Sequence, residues 1–203
     1  MALDSYTNIK TSVAAWLARG NLTAYIPDFI TMAEVRIYNE VRCKEIEVTF
    51  TDTISSGVIS VPTGYKEMKN LRITSAPVQR LIRKKPGWIY EKYPLRSSDG
   101  KPLFFGRDGT SIVFGPYPDA DYTVAGTYYK KLDPLSGSNE TNWLTDDYPN
   151  LLLFAALSEA EPFLKNDTRV QLWEAKYAAI RDAINKASRK EEHSGSDLTI
   201  VAG

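Results

Sequence analysis

The chain has 203 residues, 43% of them hydrophobic, and its 25 Lys+Arg balance 25 Asp+Glu. That length suits one domain, or two small ones sharing a core, and needs no staple because such a chain buries roughly 70% of its unfolded surface. The composition excludes a disordered chain, and the longest apolar run, residues 151–157, is far short of the roughly 20 that span a bilayer.

In chain order, residues 5–19 read as a helix. Ile9, Val13, Trp16 and Leu17 recur at three- and four-residue spacing, and Gly20 follows as the stop. After Asn21-Leu22-Thr23, Pro27 suits the first turn of a second helix and Asp28 favours its dipole. Phe29, Ile30, Ala33, Ile37 and Val41 give that helix an apolar face, with Glu34, Arg36 and Glu40 off it. So short a link makes the two helices an antiparallel hairpin.

The period changes after Lys44. Ile46, Val48 and Phe50 alternate with Glu45, Glu47 and Thr49, the mark of a half-buried strand. Ser55-Ser56-Gly57 turns the chain, and Val58-Ile59-Ser60-Val61 returns as a strand up to Pro62. Leu71-Arg72-Ile73-Thr74 and Val78-Gln79-Arg80-Leu81-Ile82 are two further strands about Ala76-Pro77. Residues 86–93, carrying Trp88 and Tyr90, form a short helix or a loop. Leu103-Phe104-Phe105 and Ser111-Ile112-Val113-Phe114 flank Arg107-Asp108-Gly109, where Asp-Gly signals a hairpin. In a last strand Tyr122, Val124, Gly126 and Tyr128 alternate with Thr123, Ala125, Thr127 and Tyr129.

After a polar link at residues 133–139, helical periodicity returns from Asp147. Residues 151–157 are apolar on every face, so this helix must be covered on several sides, by this chain or by another subunit. Asp146 and Asp147 stand where its N-cap is expected, and Pro162 closes or kinks it. Asp167 or Thr168 caps a final helix whose stripe is Val170, Trp173, Tyr177, Ile180 and Ile184. Residues 194–203 carry no helical pattern. The chain therefore reads as α+β. Residues 1–44 and 133–193 form a helical bundle, residues 45–132 an inserted antiparallel β module, and residues 194–203 a flexible C-terminal tail.

Chemistry-bearing residues are few. Cys43 and His193 are the single cysteine and histidine, which leaves no intrachain disulfide and no thiolate cluster. His193 lies in the polar stretch Lys190-Glu191-Glu192-His193-Ser194-Gly195, whereas a catalytic base must be held in a packed site. Cys43 reads as a small buried hydrophobe. No P-loop, dinucleotide fingerprint, His-Glu-x-x-His or EF-hand spacing occurs, so no cofactor or metal is expected. Glycosidases need only two carboxylates, and Asp146-Asp147 and Glu159/Glu161 are the candidates. Neither spacing puts both groups on one helix face, so no enzyme is expected. Met1-Ala2-Leu3-Asp4-Ser5 has neither the basic start nor the apolar core of an export signal, and none is expected.

Charge is neutral in sum but not in place. Residues 66–107 hold eleven basic side chains against Glu67, Glu91 and Asp99, a surplus of eight that the rest of the chain balances. Arg80, Arg83, Lys84 and Lys85 are the candidate interaction patch. Beside Trp88 and Tyr90 they would make a nucleic-acid surface, with cations for phosphate and rings for stacking. No recognised nucleic-acid motif accompanies them, which favours a solvated sheet face, or a basic module meeting the acidic side of the next copy head to tail.

Several stretches in collinear order carry a resemblance. They are Met1-Ala2-Leu3-Asp4-Ser5-Tyr6-Thr7-Asn8-Ile9-Lys10-Thr11, Ala15-Trp16-Leu17, Asp28-Phe29-Ile30 and Ala33-Glu34-Val35-Arg36-Ile37. Later come Thr127-Tyr128-Tyr129, Pro134-Leu135-Ser136, Thr141-Asn142-Trp143-Leu144, Tyr148-Pro149 and Glu159-Ala160-Glu161-Pro162-Phe163-Leu164. Trp173-Glu174-Ala175 and Ser194-Gly195-Ser196 complete the series. Together they resemble the head-tail adaptor (connector) proteins of tailed phages, a family related to tail tubular protein A of short-tailed phages. The resemblance implies a structural protein of the virion, made in the host cytoplasm and placed at the head-tail junction. It implies a dodecameric ring below the portal protein that continues the DNA channel and anchors tail proteins of nozzle or stopper type. Genome DNA would pass without sequence-specific binding, and no membrane would be involved. It also implies a C-terminal tail that docks on the portal, here through Leu198, Thr199, Ile200 and Val201. The alternative is a nucleic-acid-binding module using the basic 66–107 segment.

Overall fold

The computed structural model describes residues 2–18, 20–95, 100–131, 133–163 and 167–193. The first elements are the helices α1 (Tyr6–Leu17) and α2 (Ile26–Glu40). The strands β1 (Glu47–Ile54), β2 (Val58–Ser60), β3 (Tyr65–Ile73), β4 (Gln79–Arg80) and β5 (Ile82–Arg83) follow. Then come the short helix α3 (Pro86–Lys92) and the strands β6 (Phe104–Asp108), β7 (Ser111–Gly115) and β8 (Tyr122–Lys130). The helices α4 (Trp143–Asp147), α5 (Pro149–Phe163) and α6 (Asp167–His193) close the chain. This is the α+β class expected from the sequence. The chain divides into two units, Met1–Ile46 with Leu132–Gly203, and Glu47–Lys131.

The helical unit is organised around α5. Its Leu151, Leu152, Leu153, Ala155, Ala156 and Leu157 are all buried, and α1, α2, α4 and α6 pack against it. An all-round apolar helix needs such a position, and this chain itself supplies the cover. Ile9, Val13 and Leu17 of α1 and Phe29, Ile30, Ala33 and Ile37 of α2 turn inward as their spacing requires. Trp16, Phe154 and Trp173 join α1, α5 and α6, with ring centroids 5.3 to 6.0 Å apart. Ser5 caps α1 by accepting the Asn8 N–H at 3.2 Å.

Three expectations give way here. The stop of α1 is Ala18, in the left-handed region at φ 53, not Gly20, which opens a 3-10 turn. The left-handed turn at Ala18 takes the chain off the helix axis after Leu17, the last buried residue of the stripe in α1. Second, Asp146 and Asp147 cap nothing. They end α4, whose cap is Asn142, accepting the Leu144 N–H at 2.9 Å while its own N–H donates to Thr145 Oγ1 at 2.9 Å. Third, Glu34 is buried, not off the packed face. Its carboxylate accepts the Leu135 N–H at 3.0 Å and the Asn142 side-chain amide at 3.2 Å. Burial pushes its pKa up against both of those hydrogen bonds. A polar link with no helical partner for its amides thus recruits a carboxylate from α2.

Arg36 ties α2 to α5 and α6. Its guanidinium donates twice to Glu174, once to Glu40 at 3.2 Å and lies 3.6 Å from Glu159. Its Cζ sits 4.3 Å from the Tyr177 ring centroid, and the Tyr177 hydroxyl donates to Glu40 at 2.9 Å. Arg181 donates to the same Glu40 at 2.8 Å.

In the second unit two four-stranded sheets enclose one core. Their orders are β1-β8-β3-β4 and β2-β7-β6-β5. Ile54, Met68, Leu71, Ile73, Val124 and Tyr128 from the first meet Ile59, Phe105, Ile112 and Phe114 from the second. Every pairing is antiparallel except β5 with β6, which is parallel. The strand expected to return along β1 does not do so: β1 pairs with β8, while β2 joins the other sheet beside β7. Register shifts at Lys66 and Lys69 put bulges in β3, and there Gly126 of β8 lies against it. A Cβ on Gly126 would sit 2.7 Å from the Asn70 carbonyl oxygen and 2.8 Å from the Phe50 ring.

Candidate interaction surface

The basic segment lies where the chain changes sheets. β3 and β4 form a hairpin in which Arg72 faces Arg80 and Ile73 faces Gln79. Leu81 is buried between the sheets, and its N–H donates to the Leu71 carbonyl at 2.9 Å. The next amide, that of Ile82, donates to the Leu103 carbonyl at 2.9 Å in the other sheet. Residues 78–82, expected as one strand, are therefore two short ones divided at Leu81. The apolar side chain takes the core, and consecutive amides must then point to opposite neighbours.

This corner separates the four patch residues. Arg80 ends β4, on the first sheet, and is exposed. Arg83 ends β5, on the second, and its guanidinium lies 3.5 Å from Glu67. Both line a groove of about 350 Å³ with Lys69, Met68 and Ile82. Lys84 and Lys85 are exposed and lead into α3. Lys84 Nζ lies 5.2 Å from the Trp88 ring centroid, and Lys92 Nζ lies 5.0 Å from it. Trp88 also meets Phe104 edge-on at 4.9 Å. The Tyr90 hydroxyl donates to Asp108 at 2.8 Å. Of the helix and the loop that residues 86–93 allow, the chain forms the helix α3, whose Ile89 is fully buried. A Cβ on Gly115 would come within 2.8 Å of Ile89, and one on Gly106 within 2.6 Å of the Lys84 carbonyl. These two glycines let α3 and its basic approach lie close on β6 and β7.

Sequence reasoning passed over Arg72 as a site residue. Counting outward from Ala76 pairs positions 72 and 80, so the signal was present in the hairpin spacing. The register places Arg72 and Arg80 in one row with Ala125 of β8 and Thr51 of β1, on the face opposite the core. The neighbouring rows hold Thr49, Thr127 and Asn70 on one side and Thr53 and Thr123 on the other. Thr49, Thr51, Thr53, Asn70, Arg72, Thr123 and Arg80 are exposed. Two rows from the arginines, Glu47 and Glu67 flank Tyr129. Lys69 pairs with Glu47 at 2.6 Å.

The other candidates do not converge. Glu159 lies 3.6 Å from Arg36, whereas Glu161 is buried and accepts the Trp173 indole N–H at 3.2 Å. Cys43 is buried, and burial, with Glu45 close by, pushes its thiol up to about 12. His193 is the last described residue of α6. Among the described residues no group of three or more His, Cys, Asp or Glu could hold a metal. No described helix is long and apolar enough to cross a membrane. Leu198, Thr199, Ile200 and Val201 lie outside the described residues.

No curated protein matches the chain. The profile of the SU10 adaptor protein family matches residues 4–199, which takes in both units and the basic corner. On that match the chain belongs to the SU10 adaptor protein family, a family of phage head-tail adaptors.

Proposed function

We propose that this phage adaptor works as a ring below the portal, in twelve copies, continuing the DNA channel and giving tail proteins a platform. The single observation that carries the reading is the family match over residues 4–199. Such a part needs surfaces and no reaction, and Glu34, Glu161 and Cys43 are buried in the packing of the helical unit. The C-terminal residues Leu198, Thr199, Ile200 and Val201 are the proposed portal grip. Three apolar side chains among four would offset the entropy of ordering a tail on its partner.

The runner-up is a nucleic-acid module using Arg80, Arg83, Lys84 and Lys85. Their exposure favours it. The setting of Trp88 argues against it, since ammonium groups and the Phe104 ring crowd the indole that would stack on a base. Mixing the purified full chain with its portal and weighing the product by native mass spectrometry separates the two. A closed complex with many adaptor copies is expected, and Leu198→Asp with Ile200→Asp should weaken it at least about tenfold. Salt-dependent DNA binding without any portal complex would transfer the assignment to the runner-up.

A further inference from the structure

We infer that Arg72 and Arg80, opposed across the β3–β4 ladder beside the threonine rows of β1 and β8, dock the Asp146–Asp147 carboxylates of a second copy of this chain. The inference rests on the ring reading and names one contact within it. Like charges set directly opposite on adjacent strands weaken the pairing, so β4 carries a penalty that an anion would remove. The carboxylates of the same face are engaged elsewhere: Glu47 by Lys69 at 2.6 Å and Glu67 by Arg83 at 3.5 Å. Two guanidinium groups on one face suit carboxylates, which accept from them in forked pairs. The exposed residues Thr51, Thr53 and Thr123 add neutral hydroxyl donors on the same face.

The occupant follows from charge. The basic surplus of residues 66–107 is balanced by acid in the rest of the chain. There Asp146 and Asp147 are adjacent and exposed at the end of α4. Among the described residues no cation pairs with either. Binding of duplex DNA to the same arginines is the competing outcome that the test below separates.

The test is sedimentation velocity of the full chain, from micromolar to about 500 µM, in about 50 mM and about 500 mM NaCl. Wild type should associate at low salt and dissociate at high salt. Arg72→Glu with Arg80→Glu should weaken association at least about tenfold, as should Asp146→Lys with Asp147→Lys. Combining all four changes should restore it to within about threefold of wild type. The milder pair Arg72→Gln with Arg80→Gln should weaken it to a smaller extent, and circular dichroism checks each fold. A wild type that stays monomeric throughout, either arginine pair variant associating like wild type, or a combined variant without rescue overturns the contact. So does an arginine variant that loses only DNA binding. The ring reading is judged separately by the portal complex, which these measurements do not use.

Discussion

Replacing Arg36 by methionine keeps a long apolar stem over Tyr177 and removes the charge that Glu40, Glu159 and Glu174 share. In the native unit the Arg36 side chain is 23% exposed, Glu40 32%, Glu159 29% and Glu174 42%. Breaking a fully buried pair costs about 3–5 kcal/mol, and an exposed pair contributes about 0–1. Arg181 still holds Glu40 and the Ser158 hydroxyl still reaches Glu174, so Glu159 and Glu174 lose their cation at intermediate depth, and the expected loss is about 2 kcal/mol at neutral pH. The hydrogen bond from Arg36 holds the Glu174 carboxyl below its ordinary range. Burial opposes ionisation of Glu40, but hydrogen bonds from Arg181, Tyr177 and Arg36 outweigh it, and its pKa also falls. Carboxyls depressed in the folded state add stability above their unfolded pKa of about 4.3 and lose it as pH falls through the folded one. The wild type therefore weakens in acid while the variant, which lacks the depression at Glu174 and keeps that of Glu40 by Arg181 and Tyr177, weakens less. Urea unfolding followed by helical circular dichroism, at about pH 7 and about pH 3, should show the gap shrink to under about 1 kcal/mol. A gap that is equal at both pH values, or below about 0.5 kcal/mol at neutrality, refutes the assignment of Arg36 as the hub.

Two further outcomes are expected. Gly126→Ala forces a methyl to within 2.7 Å of the Asn70 carbonyl and 2.9 Å of Leu71 Cδ1. It should destabilise the strand unit by about 3 kcal/mol, and a melting temperature equal to wild type would count against the close packing described. Ala18→Gly relieves a left-handed φ of 53 at the end of α1. It should raise stability in urea by about 0.5–1 kcal/mol, and a loss of stability contradicts that cap.

The helices were legible because their stripes are wide and the sequence says which side is dry. α5 is the clearest case, since seven consecutive apolar residues have only one kind of home. The strands were legible singly but not as a topology. Val58-Ile59-Ser60-Val61 reads as the return arm of a hairpin, and nothing in its alternation tells that β7, not β1, is its neighbour. Leu81 hides a change of sheet inside what scans as one continuous strand. Glu34 was misplaced because its burial depends on the Leu135 amide, about a hundred positions away, and periodicity carries no such information. Of the interaction surface, the charge was visible in composition, and Arg72 was recoverable from hairpin counting. Which of Arg80, Arg83, Lys84 and Lys85 share a face was not, because the corner splits them between two sheets.

The order in which the two units appear on the chain has a consequence for biosynthesis. α1 and α2 emerge from the ribosome before the strands and α5, with Ile9, Val13, Ile30 and Ile37 bare. Their cover, α5, is translated about 110 residues later, on the order of ten seconds at about 5–20 residues per second. β1 to β8 lie between in the sequence, so the strand unit can finish while the helical unit waits for its last helices. The nascent chain thus holds the apolar faces of α1 and α2 open until α5 arrives, and that is where a chaperone would find it.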